Sequence, residues 1–258
     1  MNDRSTGRSV IITGGTSGVG LATAHRFAAA DGTRIALIGR NAERGKQAVT
    51  AVTAAAPRCD VHFVAGDAND PAQALAAVTA AGDLLGGVDV LVNSTTAFYV
   101  PGLLRDIPIE DIADILTGQA LGPMHMCRAV LPWLAERGGG SIVNVASDAA
   151  KVPTPGEVVI GAAMAAIVTF SRTLAVEAKR EGIRVNAVTP SLIEGTATGE
   201  RALAGGFSKK LFEKARQQAH LGATEPDDLA GLIAFLCSPD AARITGQVIS
   251  VNGGISVA

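Results

Sequence analysis

Short runs rich in β-branched residues alternate with longer alanine-rich segments along the whole chain, and this alternation most limits its possible folds. The runs are nearly continuous in apolar residues, which is typical of strands buried on both faces. Such a series predicts an α/β fold with a doubly wound, seven-stranded parallel sheet and helices on both faces. The predicted strands are Ser9–Thr13, Arg34–Gly39, Val61–Gly66, Val88–Asn93, Ser141–Ala146, Ile183–Thr189 and Gly246–Gly254.

The chain carries no internal boundary. No charge block, repeat or Pro/Ser-rich linker divides its 258 residues, so the sequence predicts one domain over 1–258. One irregular stretch, SLIEGTATGERALAGG at 191–206, lies between a strand and a helix. Its Gly and Thr content predicts a mobile loop, and loops in such positions often cover a substrate.

Charge and cysteine content narrow the function classes. A net charge of −2 leaves no broad basic surface for nucleic acid. Cys59, Cys127 and Cys237 are too far apart for a CxxC metal site and odd in number for a disulfide framework, which predicts buried free thiols and no metal site. The N-terminus has no apolar stretch of signal-peptide length, and the other apolar runs look too short or too rich in Gly and Ala to span a bilayer. We therefore expect a soluble, cytoplasmic protein that binds neither nucleic acid nor membrane.

A glycine-rich turn, TGGTSGVG at Thr13 to Gly20, follows the first predicted strand and opens a helix. Small residues there let the chain turn tightly and bring backbone N–H groups and a helix N-terminus to a pyrophosphate. Close packing of strand on helix is the alternative role for these glycines. The residues expected to contact a cofactor are Gly14, Thr16, Ser17, Gly18, Val19 and Gly20.

Cofactor choice is indicated at the end of the second predicted strand. An acidic residue there would bind the ribose 2′-hydroxyl of NAD, but this chain has Gly39-Arg40. An arginine pairs with a 2′-phosphate, whereas an acid repels it. The sequence therefore favours NADP over NAD, with a solvated loop charge as the alternative reading of Arg40.

Several motifs together resemble the short-chain dehydrogenase/reductase family over essentially the whole chain. They are the TGxxxGxG turn, GDAND after the third strand, LVN at the end of the fourth, GGSIVNVAS, GIRVNAVTP and ITGQVISVNGG. The resemblance implies a Rossmann fold that binds NAD(P), with Asp67 and Asn93 among the cofactor-binding residues. It also implies an Asn-Ser-Tyr-Lys tetrad for hydride transfer between the cofactor and an alcohol or ketone. In that tetrad the serine polarises the substrate oxygen and the tyrosine exchanges a proton with it. The lysine lowers the tyrosine pKa and binds the nicotinamide ribose. The asparagine holds a water that connects the lysine to solvent.

The tetrad is incomplete in this chain. Ser147, in VNVAS, keeps the serine, but family spacing places the tyrosine at Ile160, the lysine at Met164 and the asparagine at Gln119. The motifs on both sides leave no gap that would move a Tyr or Lys into place. Ile160 and Met164 lie one helical turn apart and cannot transfer a proton, and losing a general acid costs about 10² to 10⁴ in rate. Other departures are NSTT in place of NNAG, Pro190-Ser191 in place of PG, and a threonine shifted to Thr196.

Some loop residues could replace the missing tyrosine as proton donor. Tyr99, the only tyrosine of the sequence, follows the fourth strand, and Asp148, Lys151 and Glu157 follow Ser147. Each is a candidate, although loop residues of this kind more commonly face solvent or shape a substrate site. The sequence shows no acid partner for His25, His62 or His125.

Two hypotheses follow. The favoured one is a non-catalytic subunit, a pseudoenzyme, that supports a catalytically intact paralogue in a heteromeric alcohol/hydroxyacyl dehydrogenase. The resemblance implies a homo- or hetero-oligomer assembled through the helices around Gly102–Pro132 and Val158–Lys179 and through the last strand. The alternative is an active NADP(H)-dependent oxidoreductase that uses Ser147 with a non-standard proton donor.

Overall fold

The strands of the computed structural model, which describes residues 7–97 and 99–258 except for the side chain of Ala202, form one parallel sheet. The strands are β1 (Ser9–Thr13), β2 (Arg34–Gly39), β3 (Asp60–Ala65), β4 (Val90–Asn93), β5 (Gly140–Val145), β6 (Ile183–Pro190) and β7 (Val248–Val251). Their order in the sheet is β3-β2-β1-β4-β5-β6-β7, so successive strands are added in one direction up to β3 and in the other from β4 onward. The predicted α/β fold is confirmed.

Two layers of helices cover the sheet, as predicted. Along β1, Ile11 packs with α3, α4 and α5 on one face, whereas Val10 and Ile12 pack with α1, α2 and α8 on the other. Alternate strand residues point to opposite faces, so a strand buried on both sides is apolar throughout. The helices are α1 (Gly18–Ala28), α2 (Ala42–Ala55), α3 (Pro71–Leu85), α4 (Asp111–Glu136), α5 (Val158–Ala178), α6 (Ala197–Leu203), α7 (Gly206–Gln218) and α8 (Pro226–Cys237).

Two sequence-based boundaries need correction. The last strand is shorter than the predicted Gly246–Gly254 because Gly246 and Gly253 have φ values of 71° and 66°, which end the extended conformation. The stretch predicted as a loop at 191–206 is helical over Ala197–Leu203. The Thr196 hydroxyl accepts a hydrogen bond from the Gly199 N–H at 3.0 Å and so caps this helix.

Helix α5 begins the most apolar long helical segment of the described chain. An 18-residue window within Val158–Glu181 has a mean hydropathy of 1.8, enough by length and composition alone for a bilayer span, contrary to the expectation that every apolar run is too short or too rich in Gly and Ala. Half of that window is buried within the fold, where Leu174 and Ala178 pack in the core with α3 and α4. The core helix of a globular protein can have the same length and mean hydropathy, so these two properties are weak evidence for a membrane span.

Candidate functional site

A cleft of about 730 Å³ opens at the carboxyl ends of the strands, where the strand order reverses. The last residues of β1, β2, β5 and β6 line it, together with the residue that follows β4. In that order they are Thr13, Gly39, Val145, Pro190 and Ser94. In open parallel sheets this crevice is where ligands bind. The predicted site residues can therefore be located relative to it.

The glycine-rich turn packs closely against its neighbours and lines the cleft. Gly14 has a φ of 68°, and a Cβ there would collide with the Ser94 carbonyl oxygen. A Cβ at Gly20 would collide with the Gly14 carbonyl oxygen, 2.3 Å away. The other predicted residues of the turn, together with Gly14, line the cleft: Thr16, Ser17, Gly18 and Val19.

Two arginines line one end of the cleft. Arg40 is exposed, and its Nη1 lies 3.7 Å from Oδ2 of Asp67, which also lines the cleft. Arg44, which the sequence analysis missed, lines the same end from the first turn of α2. The Asn41 side chain caps this helix by accepting a hydrogen bond from the Arg44 N–H at 2.9 Å. The sequence did carry a signal for Arg44: it follows Arg40 by four residues at the start of a helix, a spacing that places two side chains near each other.

Asn93 is buried below the cleft and does not line it. Its Oδ1 accepts a hydrogen bond from the Thr13 hydroxyl at 2.9 Å, and its Nδ2 donates to Oδ1 of Asn144 at 2.8 Å. Asn144 in turn donates to the Ser171 hydroxyl at 2.8 Å. This buried polar chain, Thr13–Asn93–Asn144–Ser171, joins β1, β4 and β5 to α5.

Three of the four positions that the resemblance assigns to the tetrad line the cleft together: Ser147, Ile160 and Met164. Ser147 lies at the end of β5, where its Oγ accepts a hydrogen bond from the Ala149 N–H at 3.2 Å. Ile160 and Met164 line the cleft with it and pack against Ile167. Met164 is only 6% exposed, so its side chain fills space in the wall. Neither side chain carries a titratable group.

Gln119 is committed to holding the chain beside the cleft. It is buried in α4, where its Oε1 accepts hydrogen bonds from the Thr96 hydroxyl at 3.2 Å and the Ala97 N–H at 3.4 Å. Its Nε2 donates to the Ala97 carbonyl at 3.2 Å. The amide therefore ties the segment after β4 to α4, and its side chain is not part of the described cleft lining.

Tyr99 lines the cleft, but its hydroxyl is engaged. It donates a hydrogen bond to the Gly156 carbonyl at 3.0 Å, joining the segment after β4 to the start of α5. Burial raises the pKa of Tyr99 above its usual value of 10, and the charge of Glu157 adds to the increase. The phenol is therefore a weaker acid than a free tyrosine.

Glu157 is the cleft acid whose protonation changes near neutral pH. It precedes α5 and lines the cleft with Ser147 and Ile160. Burial raises its pKa from 4.5 to about 7, the charge of Asp148 adds to this, and a hydrogen bond with Thr154 opposes it. From sequence, Glu157 is one of several loop candidates, because its burial results from tertiary contacts.

Asp148 and Lys151 are bound to the segment after β7. Asp148 is buried and accepts hydrogen bonds from the Ser256 hydroxyl at 2.7 Å and from Asn252. The Lys151 Nζ lies 3.7 Å from Oδ1 of Asp148 and donates to the Ala258 carbonyl at 2.7 Å. These contacts fasten residues 252–258 to the segment after Ser147 and occupy both candidate groups.

The remaining predictions concern residues away from this cleft. The three cysteines are buried and free as predicted, and the described residues contain no cluster of potential metal ligands. His62 lies near an acid that the sequence alone did not single out: its Nε2 is 2.9 Å from Oδ1 of Asp60 on the same strand, without the geometry of a hydrogen bond. These two residues are two apart in sequence, so they project from the same face of β3.

A second cavity, of about 750 Å³, lies at the amino edge of the sheet. Two of its arginines contact the end of α8: Arg8 donates to the Cys237 carbonyl at 2.7 Å and Arg184 to the Leu236 carbonyl at 2.6 Å. Both satisfy carbonyl groups that the helix leaves unpaired. The charges of these two residues therefore serve helix capping.

Comparison with known proteins gives matches over nearly the whole chain. A family model described as Enoyl-(Acyl carrier protein) reductase matches residues 14–256. Dehydrogenase/reductase SDR family member 4 of Homo sapiens is 32% identical over 256 residues, covering 95% of this chain and 86% of that protein. D-threitol dehydrogenase of Mycolicibacterium smegmatis is 34% identical over 258 residues, covering 98% of this chain and 95% of that protein. L-sorbose reductase from Gluconobacter frateurii, solved with NADPH and L-sorbose, aligns over 100% of both chains with a TM-score of 0.87 at 30% identity.

Glu157 should make the stability of the protein depend on pH. Its pKa is higher in the folded state, so the folded protein holds the proton more tightly and the free energy of unfolding falls as pH rises from about 4.5 through about 7. Glu157→Gln removes this contribution, so its melting temperature should decline less than that of the wild type between pH 5 and pH 8. Differential scanning calorimetry measures both curves. Glu43→Gln is the control, because Glu43 is in an exposed ion pair with Lys46, and its melting temperature should follow that of the wild type. If the melting temperatures of Glu157→Gln and the wild type change with pH in the same way, the raised pKa is not that of Glu157.

Proposed function

The chain belongs to the short-chain dehydrogenase/reductase family, and on that premise we propose that it is a non-catalytic subunit. It supports a catalytically intact paralogue in a heteromeric alcohol/hydroxyacyl dehydrogenase. The observation that carries this proposal is the apolar pair Ile160 and Met164 in the cleft wall beside Ser147. The serine alone can polarise a carbonyl, but the two positions that would supply and replace a proton hold hydrocarbon and a thioether.

The cleft keeps features suited to NADP, which we include in the proposal. Arg40 and Arg44 together present two guanidinium groups where the adenosine ribose of a dinucleotide would lie in this fold. Guanidinium groups bind phosphate through paired charge-assisted hydrogen bonds. Met164 supplies no ammonium group for the nicotinamide ribose, so we expect weaker binding than in an intact family member.

A partner subunit would be held on the outer side of α4 and α5. Exposed apolar residues lie on these helices or just before α4: Ile109, Leu116, Leu121, Val158 and Val176. Single exposed apolar residues are common on protein surfaces, but a run of them along two adjacent helices favours an interface. The same two helices carry assembly in the family resemblance described above, which supports the proposal.

The decisive experiment is purification of the tagged full-length chain from its native cells, with identification of what accompanies it. The expected companion is a second family member that carries both the tyrosine and the lysine absent at 160 and 164. Its activity with NADPH should be higher or more stable in the complex than alone. Ketone reduction by the purified chain without a partner, at about 1 s⁻¹ or faster, would overturn the proposal.

Reinstating the missing pair should restore proton transfer. Ile160→Tyr combined with Met164→Lys should raise NADPH-dependent reduction of 2,3-butanedione by about 10²-fold or more over the wild type. Adding Ser147→Ala should remove the gain. Met164→Lys alone should also tighten NADPH binding, measured by calorimetry, whereas the matched Met164→Leu should not. Unchanged affinity and unchanged turnover together would show that the cleft does not place these positions beside a nicotinamide.

The two arginines should discriminate between cofactors. Arg40→Gln and Arg44→Gln should each weaken NADPH binding by roughly 10-fold, the size of one lost charged hydrogen bond, and leave NADH binding unchanged. Isothermal titration calorimetry gives both affinities. Arg58→Gln is the control, because Arg58 pairs with Asp31 away from the cleft. Equal losses for NADH and NADPH would contradict a role at the 2′-phosphate.

Glu157 supports a second candidate function, an active NADP(H)-dependent oxidoreductase with this carboxyl as proton donor. It lines the cleft with Ser147, and its pKa of about 7 leaves it protonated in part at neutral pH. Such an enzyme would reduce ketones without a partner, with a rate that falls as pH rises above 7. Glu157→Gln should then lower turnover by at least about 10²-fold and abolish this pH dependence. If Tyr99→Phe abolishes turnover instead, the proton donor is the Tyr99 phenol. If the wild-type protein alone has no turnover, an active oxidoreductase is rejected.

A further inference from the structure

The cavity of about 750 Å³ at the amino edge of the sheet is basic. The first residues of β4, β5 and β6 line it, so it lies at the opposite edge from the cleft, and it is large enough for a small-molecule ligand. Its lining includes five cationic side chains and one acidic side chain: Arg8, Arg137, Lys179, Arg184, Arg243 and Asp89. In a chain whose net charge is −2, this concentration of positive charge favours an anion.

Contacts within the fold hold three of the arginines around this cavity. Arg8 and Arg184 donate to the carbonyls of consecutive residues at the end of α8. Arg137 pairs with Asp89, and its Nε lies 3.3 Å from Oδ1 of that carboxylate. The other carboxylate oxygen of Asp89 accepts a hydrogen bond from the Ser9 N–H at 2.9 Å, so the ion pair is joined to the residue that follows Arg8.

Arg8 and Arg184 keep their positive charge while they bind α8. A carbonyl group has no net charge, and an arginine does not lose its proton in a protein. Partial burial lowers the pKa of Arg184, the interaction with Cys237 opposes this, and the charge of Arg8 lowers it again. The two guanidinium groups are therefore close enough to repel each other, and an anion beside them would relieve that repulsion.

Lys179 and Arg243 add charge that has no acidic partner. Both are exposed, and within residues 7–97 and 99–258 no ion pair of 4 Å or less involves either. Arg243 precedes Ile244, whose carbonyl accepts a hydrogen bond from Nη1 of Arg184 at 3.2 Å. The Lys179 carbonyl accepts a hydrogen bond at 3.2 Å from the N–H of Gly182, which also lines the cavity. Both residues therefore belong to the wall of the cavity.

We propose that this cavity binds a small anion that carries two or more phosphate groups. A guanidinium group binds phosphate through paired charge-assisted hydrogen bonds, and an ammonium group binds it as a point charge. The five cations exceed the one acid by four charges, and a phosphate group carries about two at neutral pH, so two such groups balance them. This site is separate from the cofactor cleft, so it can be absent while the proposed function stands, and the reverse.

Isothermal titration calorimetry of the full-length protein with inorganic tripolyphosphate tests the proposal. Binding should saturate, and its affinity should fall as the NaCl concentration is raised. Orthophosphate should bind at least about 10-fold more weakly, because it offers a single phosphate group. Tripolyphosphate binding should persist in Arg40→Gln combined with Arg44→Gln, because those two arginines lie at the other edge of the sheet. Loss of binding in that variant would overturn the proposal, as would the absence of saturable binding to the wild type.

Matched variants locate the anion without disturbing the arginines that cap α8. Lys179→Gln and Arg243→Gln should each weaken tripolyphosphate binding by about 3- to 5-fold, whereas Lys179→Arg keeps the charge and should retain the affinity. Arg180→Gln removes a neighbouring exposed charge that does not line the cavity, so it should leave the affinity unchanged. Equal losses in Lys179→Gln and Arg180→Gln would show that the anion responds only to the overall charge of the protein, and would overturn the proposal.

Discussion

A buried chain of hydrogen bonds, Thr13–Asn93–Asn144–Ser171, joins the three central strands to α5, and the geometry of the cleft depends on it. All four polar side chains are buried, so losing the Thr13 hydroxyl or the Ser171 hydroxyl would leave a buried amide group of Asn93 or Asn144 without its hydrogen bond. The chain holds the carboxyl ends of β1, β4 and β5 in register with the helix that carries Ile160 and Met164. These hydrogen bonds do not involve the side chains of Ile160 and Met164, so the fold here does not depend on which residues stand at 160 and 164.

The replacements themselves favour packing over chemistry. Met164 is buried against Ile167 and Ala146, and burying a side chain of this size contributes roughly 1.5–3 kcal/mol. A tyrosine and a lysine in the same wall would each need a polar partner or water. An apolar pair at these positions has no such requirement. Packing in this wall is therefore satisfied without a polar side chain at 160 or 164.

The sequence was informative where local pattern and burial agree. The strands β1 and β2 have the predicted bounds because both are apolar on two faces and end at glycine-containing turns. Ser147, Ile160 and Met164 could be placed because strand β5 and helix α5 fix their relative positions. The helix at Ala197–Leu203 was not predicted, because the glycines of the stretch 191–206 favoured a loop over the helix that Thr196 caps. The burial of Asn93, the engagement of Gln119 and the raised pKa of Glu157 depend on contacts between segments distant in sequence, which a single sequence does not reveal.

A cleft that binds a cofactor without converting it still has a thermodynamic effect. A ligand that binds only the folded state stabilises it by about 2.7 kcal/mol at a concentration 100 times its dissociation constant, whether or not a reaction follows. A cofactor bound in this cleft, as proposed above, would contact the ends of β1, β4 and β5, which the polar chain connects to α5. Helix α5 is also one of the two helices proposed to hold the partner. If cofactor binding favours the arrangement of α5 that the partner binds, thermodynamic linkage requires that the partner strengthen cofactor binding by the same factor. A non-catalytic cleft would then connect cofactor supply to assembly of the complex.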